Sequence, residues 1–95
     1  MKDRILVVDD EPDALELIEF NLRAAGFDVA TADDGTEALN KARALSPAAI
    51  VLDVMLPGRS GLDVLTRLRA DGVGSTVLLL TARGQERDRV EGLDL

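Results

Sequence analysis

The chain contains no cysteine and no histidine. Without thiols there is no disulfide framework and no thiolate chemistry. Without imidazole there is no histidine general base, and the two absences together remove the zinc sites built on those ligands. Tryptophan and tyrosine are also missing, so Phe20 and Phe27 are the only aromatic side chains. Positive charge is scarce: 11 Lys and Arg stand against 18 Asp and Glu, a formal net charge of −7. Such a balance repels nucleic-acid phosphates, and direct nucleic-acid binding by this segment is not expected. No apolar run approaches the length of a membrane span. Met1-Lys2-Asp3-Arg4 leads into an apolar stretch too short for a signal-peptide core. The expectation is a cytoplasmic location with no membrane attachment.

Of the 95 residues, 46% are hydrophobic and 31% charged. That mixture fits one globular domain over residues 1–95, small but able to bury a core. Short apolar runs rich in Val, Ile and Leu predict strands at Arg4 to Val8, Phe27 to Thr31, Ala48 to Asp53 and Thr76 to Leu80. Most lack alternation, the pattern of strands covered on both faces. Helical stretches lie between them. The first begins at Pro12 with Asp10 as its expected cap, carries Leu15, Ile18, Leu22 and Ala25 on one face, and stops at Gly26. The second runs from Gly35 to Leu45, with Ala38, Ala42 and Leu45 inward and Ser46-Pro47 as its stop. The third starts after Ser60 and turns Val64, Leu65 and Leu68 inward, and residues 70–75 read as a loop. Gly84 to Leu93 predicts a further, weak helix with only Val90 and Leu93 on an apolar face. Strands alternating with helices imply an α/β fold with a parallel sheet and right-handed crossovers.

The chemistry is written at the strand ends. Asp9 and Asp10 close the first apolar run, Asp53 the third and Thr81 the fourth. A carboxylate at the end of a buried strand is costly unless it is paired or put to use. In an open parallel sheet these ends meet on one edge, where ligands bind. Clustered carboxylates repel one another, and a hard divalent cation relieves the repulsion. The constellation therefore points to a divalent cation and a phosphoryl group, with Asp53 as a carboxylate nucleophile. Taken singly, each residue has a plainer reading: Asp9 and Asp10 as a helix cap, Asp53 as a turn residue before Pro57, Thr81 as a cap or β-branched strand residue.

Five separated segments resemble the receiver domain of two-component response regulators. They are Ile5-Leu6-Val7-Val8-Asp9-Asp10-Glu11-Pro12, Ala32-Asp33-Asp34-Gly35-Thr36-Glu37-Ala38-Leu39, Ile50 to Gly58 through Asp53, Gly61-Leu62, and Leu79-Leu80-Thr81-Ala82-Arg83. Met55-Leu56-Pro57-Gly58 together with Thr81-Ala82-Arg83-Gly84 is similar to the subfamily whose receiver precedes a winged-helix DNA-binding domain. The resemblance implies a flavodoxin-like sheet in the order 2-1-3-4-5 with helices on both faces. It implies that Asp53 is the phosphoacceptor, with Mg²⁺ held by Asp10, by Asp9 partly through water, by Asp53, and by the Met55 carbonyl. It implies that Thr81 and the Ala82 N–H contact the phosphoryl oxygens. The implied partner is a sensor histidine kinase, and the implied outcome is control of an output domain acting in transcription, with the receiver promoting its own phosphorylation and dephosphorylation.

The chain also departs from the pattern. A receiver of this family continues to a fifth strand and fifth helix, and its fifth strand carries a lysine that pairs with the phosphoryl group. The only lysines here are Lys2 and Lys41. The expectation is a receiver incomplete at its C-terminus, with the fourth strand left as an open apolar edge. That edge, or the tail, is where a homodimer would form. Two rival functions follow. One is a phosphorylation-incompetent fragment acting as a dimerisation or assembly module. The other is a Mg²⁺-dependent phosphotransferase on another substrate, disfavoured because Met55 stands where that class places its acid. A nucleotide-binding domain is disfavoured because Asp9-Asp10-Glu11 follows the first strand in place of a glycine-rich loop.

Overall fold

A computed structural model of the protein describes residues 2–57, 59–80 and 90–91, the last two by their backbone. The elements are β1 (Arg4–Val8), α1 (Pro12–Ala24), β2 (Asp28–Ala32), α2 (Gly35–Leu45), β3 (Ala49–Asp53), α3 (Gly61–Ala70), β4 (Thr76–Leu80) and β5 (Val90–Glu91). The sheet order is β2-β1-β3-β4-β5. The first four strands are parallel, and register pairs Val7 with both Thr31 and Val51 and Asp53 with Leu80. This is the expected doubly wound architecture over the four strands that the sequence predicts.

Local signals account for most element ends. Gly26, at φ 100°, and Phe27 close α1: the Gly26 N–H donates to the Arg23 carbonyl and the Phe27 N–H to the Leu22 carbonyl. Gly72 and Val73 repeat this arrangement after α3 on the Arg69 and Leu68 carbonyls. Because the Phe27 N–H serves the helix, β2 starts one residue later than predicted, at Asp28. Ser60 caps α3 through its hydroxyl, which accepts from the Asp63 N–H at 3.1 Å, and Asp34 caps α2 by accepting from the Glu37 N–H at 2.8 Å. The expected cap of α1 is corrected: the N-cap is Glu11, which makes no side-chain capping bond, and Pro12 occupies the first turn. Pro12 has no N–H to satisfy, so the helix start asks less of a cap.

Two unequal layers cover the sheet. On one face α2 and α3 pack Ala38, Leu39, Ala42, Val64, Leu65 and Leu68 against Leu6, Val8, Ile50, Leu52, Val77 and Leu79, and all of these side chains are buried. Each fully buried Leu, Ile or Val contributes roughly 1.5–3 kcal/mol, so this layer dominates stability. On the other face α1 packs against β1 and β2 and has no fully buried residue. Leu15, Ile18 and Leu22 are half-buried there, while Leu17 and Phe20 are exposed, and Ala25 is an exposed cap rather than part of the apolar face.

The expected helix over 84–93 is not observed where the chain is described. Val90 and Glu91 form a strand antiparallel to Leu80 and Leu79. Unpaired N–H and C=O groups on a strand edge recruit the nearest extended segment, which outweighs a weak helical pattern. The open edge expected on β4 is corrected accordingly: at Leu79 and Leu80 it is paired. The opposite edge, β2, is covered by side chains, with Arg23 of α1 donating to the Val29 carbonyl at 3.0 Å and Lys41 of α2 donating to the Thr31 carbonyl.

Candidate functional site

β1 and β3 are adjacent and parallel, so the residues that end them come together at one edge of the sheet. Asp9, Asp10 and Asp53 each place a carboxylate oxygen within 4.8 Å of the others. Asp9 is 4% exposed and Asp53 2% exposed, whereas Asp10 faces solvent. The two buried carboxylates are fixed in the same way. An Asp9 oxygen accepts from the Glu11 N–H at 2.9 Å, and an Asp53 oxygen accepts from the Met55 N–H at 3.0 Å. Each is a carboxylate bonded to the amide two residues on, a local turn that selects one rotamer and supports negative charge. No buried side-chain nitrogen or oxygen among the described residues is left without a hydrogen-bond partner.

The cap reading of Asp9 is thereby answered: it receives the N–H of the residue at the cap position, outside the first turn of α1. Met55 is 60% exposed and meets Asp53 through its amide. Thr81 and Ala82 lie outside the described residues. Leu80, which precedes them, is in register with Asp53, and its carbonyl accepts from the Val54 N–H at 3.1 Å.

The site opens on the Asp10 side. One cleft is lined by Asp10, Asp33, Asp34, Thr36 and Pro57, and a second by Asp10, Val54, Met55, Leu56, Pro57 and Ser60. Asp33 and Asp34 enter the sequence reading only within the segment from Ala32 to Leu39 that resembles the family. Their position at the end of β2, on the same sheet edge as Asp10, was the signal that brings them to the cleft. Electrostatics at this rim are local. The Glu37 carboxylate is held below its ordinary range, first by the Asp33 N–H that donates to it at 3.0 Å and then by Lys41, 3.1 Å away. The Asp33 carboxyl is pushed up by its hydrogen bond to Glu37 and by the charge there.

The donor set suits Mg²⁺. It consists of hard carboxylate oxygens, two of them pre-oriented by backbone amides, around a point open to water on one side. Lys41 is engaged on the β2 edge with Thr31 and Glu37.

Comparison with known proteins agrees with this geometry. Residues 5–95 match the family described as the response regulator receiver domain. The chain is 48% identical over 95 residues to the alkaline phosphatase synthesis transcriptional regulatory protein PhoP of Bacillus subtilis, covering 100% of this chain and 40% of that protein. It is 51% identical over 89 residues to the probable transcriptional regulatory protein TcrX of Mycobacterium tuberculosis, covering 94% of this chain and 38% of that one. The chain thus spans well under half the length of these relatives. Among solved structures, the response regulator TrrA of Thermotoga maritima in complex with Mg²⁺-BeF superposes with a TM-score of 0.80 at 41% identity, covering 92% of this chain and 75% of that one. A complex of TrrA with the histidine kinase ThkA gives a TM-score of 0.79 at 40% identity, covering 94% of this chain and 76% of that one.

Proposed function

The chain belongs to the response regulator receiver domain family, and from that premise we propose that it accepts a phosphoryl group on Asp53 from a sensor histidine kinase. The observation that carries this reading is the meeting of Asp9, Asp10 and Asp53 within 4.8 Å at the end of two adjacent parallel strands. An Asp53 oxygen attacks phosphorus in line, the new O–P bond forms as the N–P bond to the kinase imidazole breaks, and the released imidazole takes a proton from solvent. The Met55 amide holds the carboxylate in one rotamer, so the nucleophile is aimed before the donor arrives. Asp10, Asp9, Asp53 and the Met55 carbonyl would hold Mg²⁺, which when bound offsets the charge of the phosphoryl oxygens. Thr81 and the Ala82 N–H would bind those oxygens from the end of β4.

The kinase partner is supported by the likeness to TrrA, which is seen bound to ThkA. Control of transcription is supported by the regulators PhoP and TcrX, which continue well beyond the stretch matched here. In this reading the receiver is a signalling module that promotes its own phosphorylation and dephosphorylation, and the acidic surface leaves nucleic-acid binding to an output domain. No helix among the described residues is long and apolar enough to cross a membrane, in keeping with a cytoplasmic partner of the kinase. A rival phosphotransferase is disfavoured because the position two residues after Asp53 supplies a backbone amide and an exposed thioether, not an acid.

The test is intact-protein mass spectrometry after exposure to a small phosphoryl donor with Mg²⁺. A single phosphoryl adduct is expected on the wild type and none on Asp53→Asn or in excess chelator. An unmodified wild type that circular dichroism shows to be folded would leave the assembly-module reading in its place.

A further inference from the structure

We propose that Gly61 is a positioning residue for Asp53. This rests on the reading of Asp53 as the site carboxylate. Gly61 is the first residue of α3 and is buried. Glycine is disfavoured in helices, and here no positive φ calls for one: among the described glycines only Gly26 and Gly72 have it. What Gly61 supplies is space. A Cβ at this position would lie 2.3 Å from the Asp53 carbonyl oxygen, 2.8 Å from the Val54 Cα and 3.0 Å from the Asp53 carbonyl carbon. All three are backbone atoms of the site strand and its exit, so no rotamer change relieves the contact.

The close approach completes a clamp. The Val54 N–H donates to Leu80 of β4 at 3.1 Å, and the Val54 carbonyl accepts from the Gly61 N–H at 2.8 Å. The Met55 N–H donates to the Asp53 carboxylate at 3.0 Å. Residues 53–55 are therefore tied to β4, to the start of α3 and to their own carboxylate. Both bodies that meet at Gly61 are anchored elsewhere: α3 by buried Val64, Leu65 and Leu68, and β3 by strands on either side. An added methyl group cannot push either body away as a whole, so the displacement falls on the segment between them, which carries the carboxylate.

The experiment compares Gly61→Ala with Leu68→Ala, which loosens the same helix from the core without touching Asp53, and with Gly74→Ala, which adds a methyl group where no atom lies within 4 Å. Three quantities are read on protein shown to be folded: hydrogen exchange of the Met55 amide without metal, Mg²⁺ affinity by calorimetry, and the rate of adduct formation. Gly61→Ala is expected to speed Met55 amide exchange and to weaken Mg²⁺ binding and adduct formation by about tenfold or more, in line with the cost of misplacing a reacting group. Leu68→Ala, corrected for its folded fraction, and Gly74→Ala are expected to stay within about twofold of the wild type on the same basis. A Gly61→Ala protein that keeps the wild-type Met55 amide and Mg²⁺ affinity overturns the proposal, as does a Leu68→Ala protein that matches its losses. If Gly61→Ala does not fold in buffer alone, the same quantities are read on it in a stabilising osmolyte, and a wild-type Met55 amide there also overturns the proposal. A wild type that forms no adduct refutes the phosphoacceptor reading alone, because the amide and Mg²⁺ measurements still decide the role of Gly61.

Discussion

Replacing Asp53 by Asn removes one negative charge from a site that holds it at a cost. The Asp9 and Asp53 carboxylates are both buried and have oxygens within 4.8 Å of each other. At an effective dielectric constant near 20, two unit charges at that separation repel by about 3 kcal/mol. Asp10 adds less because it faces water. The hydrogen bond from the Met55 N–H survives the substitution, since an amide oxygen also accepts, though less strongly than a carboxylate. The net expectation, without divalent cation, is a gain of roughly 1–3 kcal/mol for Asp53→Asn, or an upward shift in Tm of about 4–8 °C per kcal/mol for a domain of this size. Mg²⁺ reverses the comparison. On the proposed reading it would bind the folded wild type and stabilise it by mass action, while the variant, lacking one carboxylate of the set, would gain little. Thermal unfolding followed by circular dichroism, with chelator and then with millimolar Mg²⁺, reads both effects. A destabilised Asp53→Asn in chelator, or equal Mg²⁺ stabilisation of both proteins, would refute the reasoning.

Further expectations rest on other parts of the molecule. Leu68→Ala in the α2–α3 layer should cost about 2–5 kcal/mol in urea unfolding, whereas Leu17→Ala on exposed α1 should stay within about 0.5 kcal/mol; similar losses at both would contradict the unequal layers. Ser60→Ala should cost about 1 kcal/mol by loss of the α3 cap, and Glu11→Ala, which removes no capping bond, much less. At the start of α2 the lowered Glu37 carboxylate stabilises the fold above its unfolded value of 4.5, and this contribution is lost as pH falls through the lower folded value. The raised Asp33 acts in the opposite sense, its ionisation weakening the fold as pH rises past its unfolded value of 3.8. Protection of the Asp33 amide should therefore fade in acid, and full protection well below the carboxylate range would count against the Glu37 contact. A homodimer through β4 has only residues 76–78 of that edge to use, since Leu79 and Leu80 are paired with β5. Sedimentation should therefore show at most weak association through β4, and a tight dimer would point to the C-terminal tail or another surface.

The four parallel strands and three helices were legible because several independent signals agreed at each. The apolar run Ile5 to Val8 is covered on both faces, Ile50 and Leu52 are buried on one face with Val51 half-buried on the other, and Gly26 sits where the α1 stop needs positive φ. The acidic cluster was legible because strand order turns three sequence positions into neighbours. What sequence could not show depended on tertiary geometry. A dipeptide as short as Val90-Glu91 has no periodicity of its own, and pairing with β4 decided its state. The thin cover of α1 was hidden because Leu15, Ile18 and Leu22 have helical spacing whether or not anything packs over them. Gly61-Leu62 was visible as a motif, but the need for glycine arises only in the fold, where a methyl group at residue 61 would strike the Asp53 carbonyl.

The arrangement also accounts for how the site can respond to a ligand. Two of the three carboxylates are buried and oriented by backbone amides, so little ordering would oppose the binding of a cation. The same burial concentrates their repulsion, because low-dielectric surroundings screen it poorly. The free energy held in that repulsion is released when charge is compensated, so cation binding and local stability are linked. The groups that would register the change are those tied to Asp53: the Met55 amide, the Leu80 carbonyl through Val54, and the start of α3 through Gly61. Through them the Asp53 carboxylate has hydrogen-bonded connections to the end of β4 at Leu80 and to the start of α3, two elements that share this strand end.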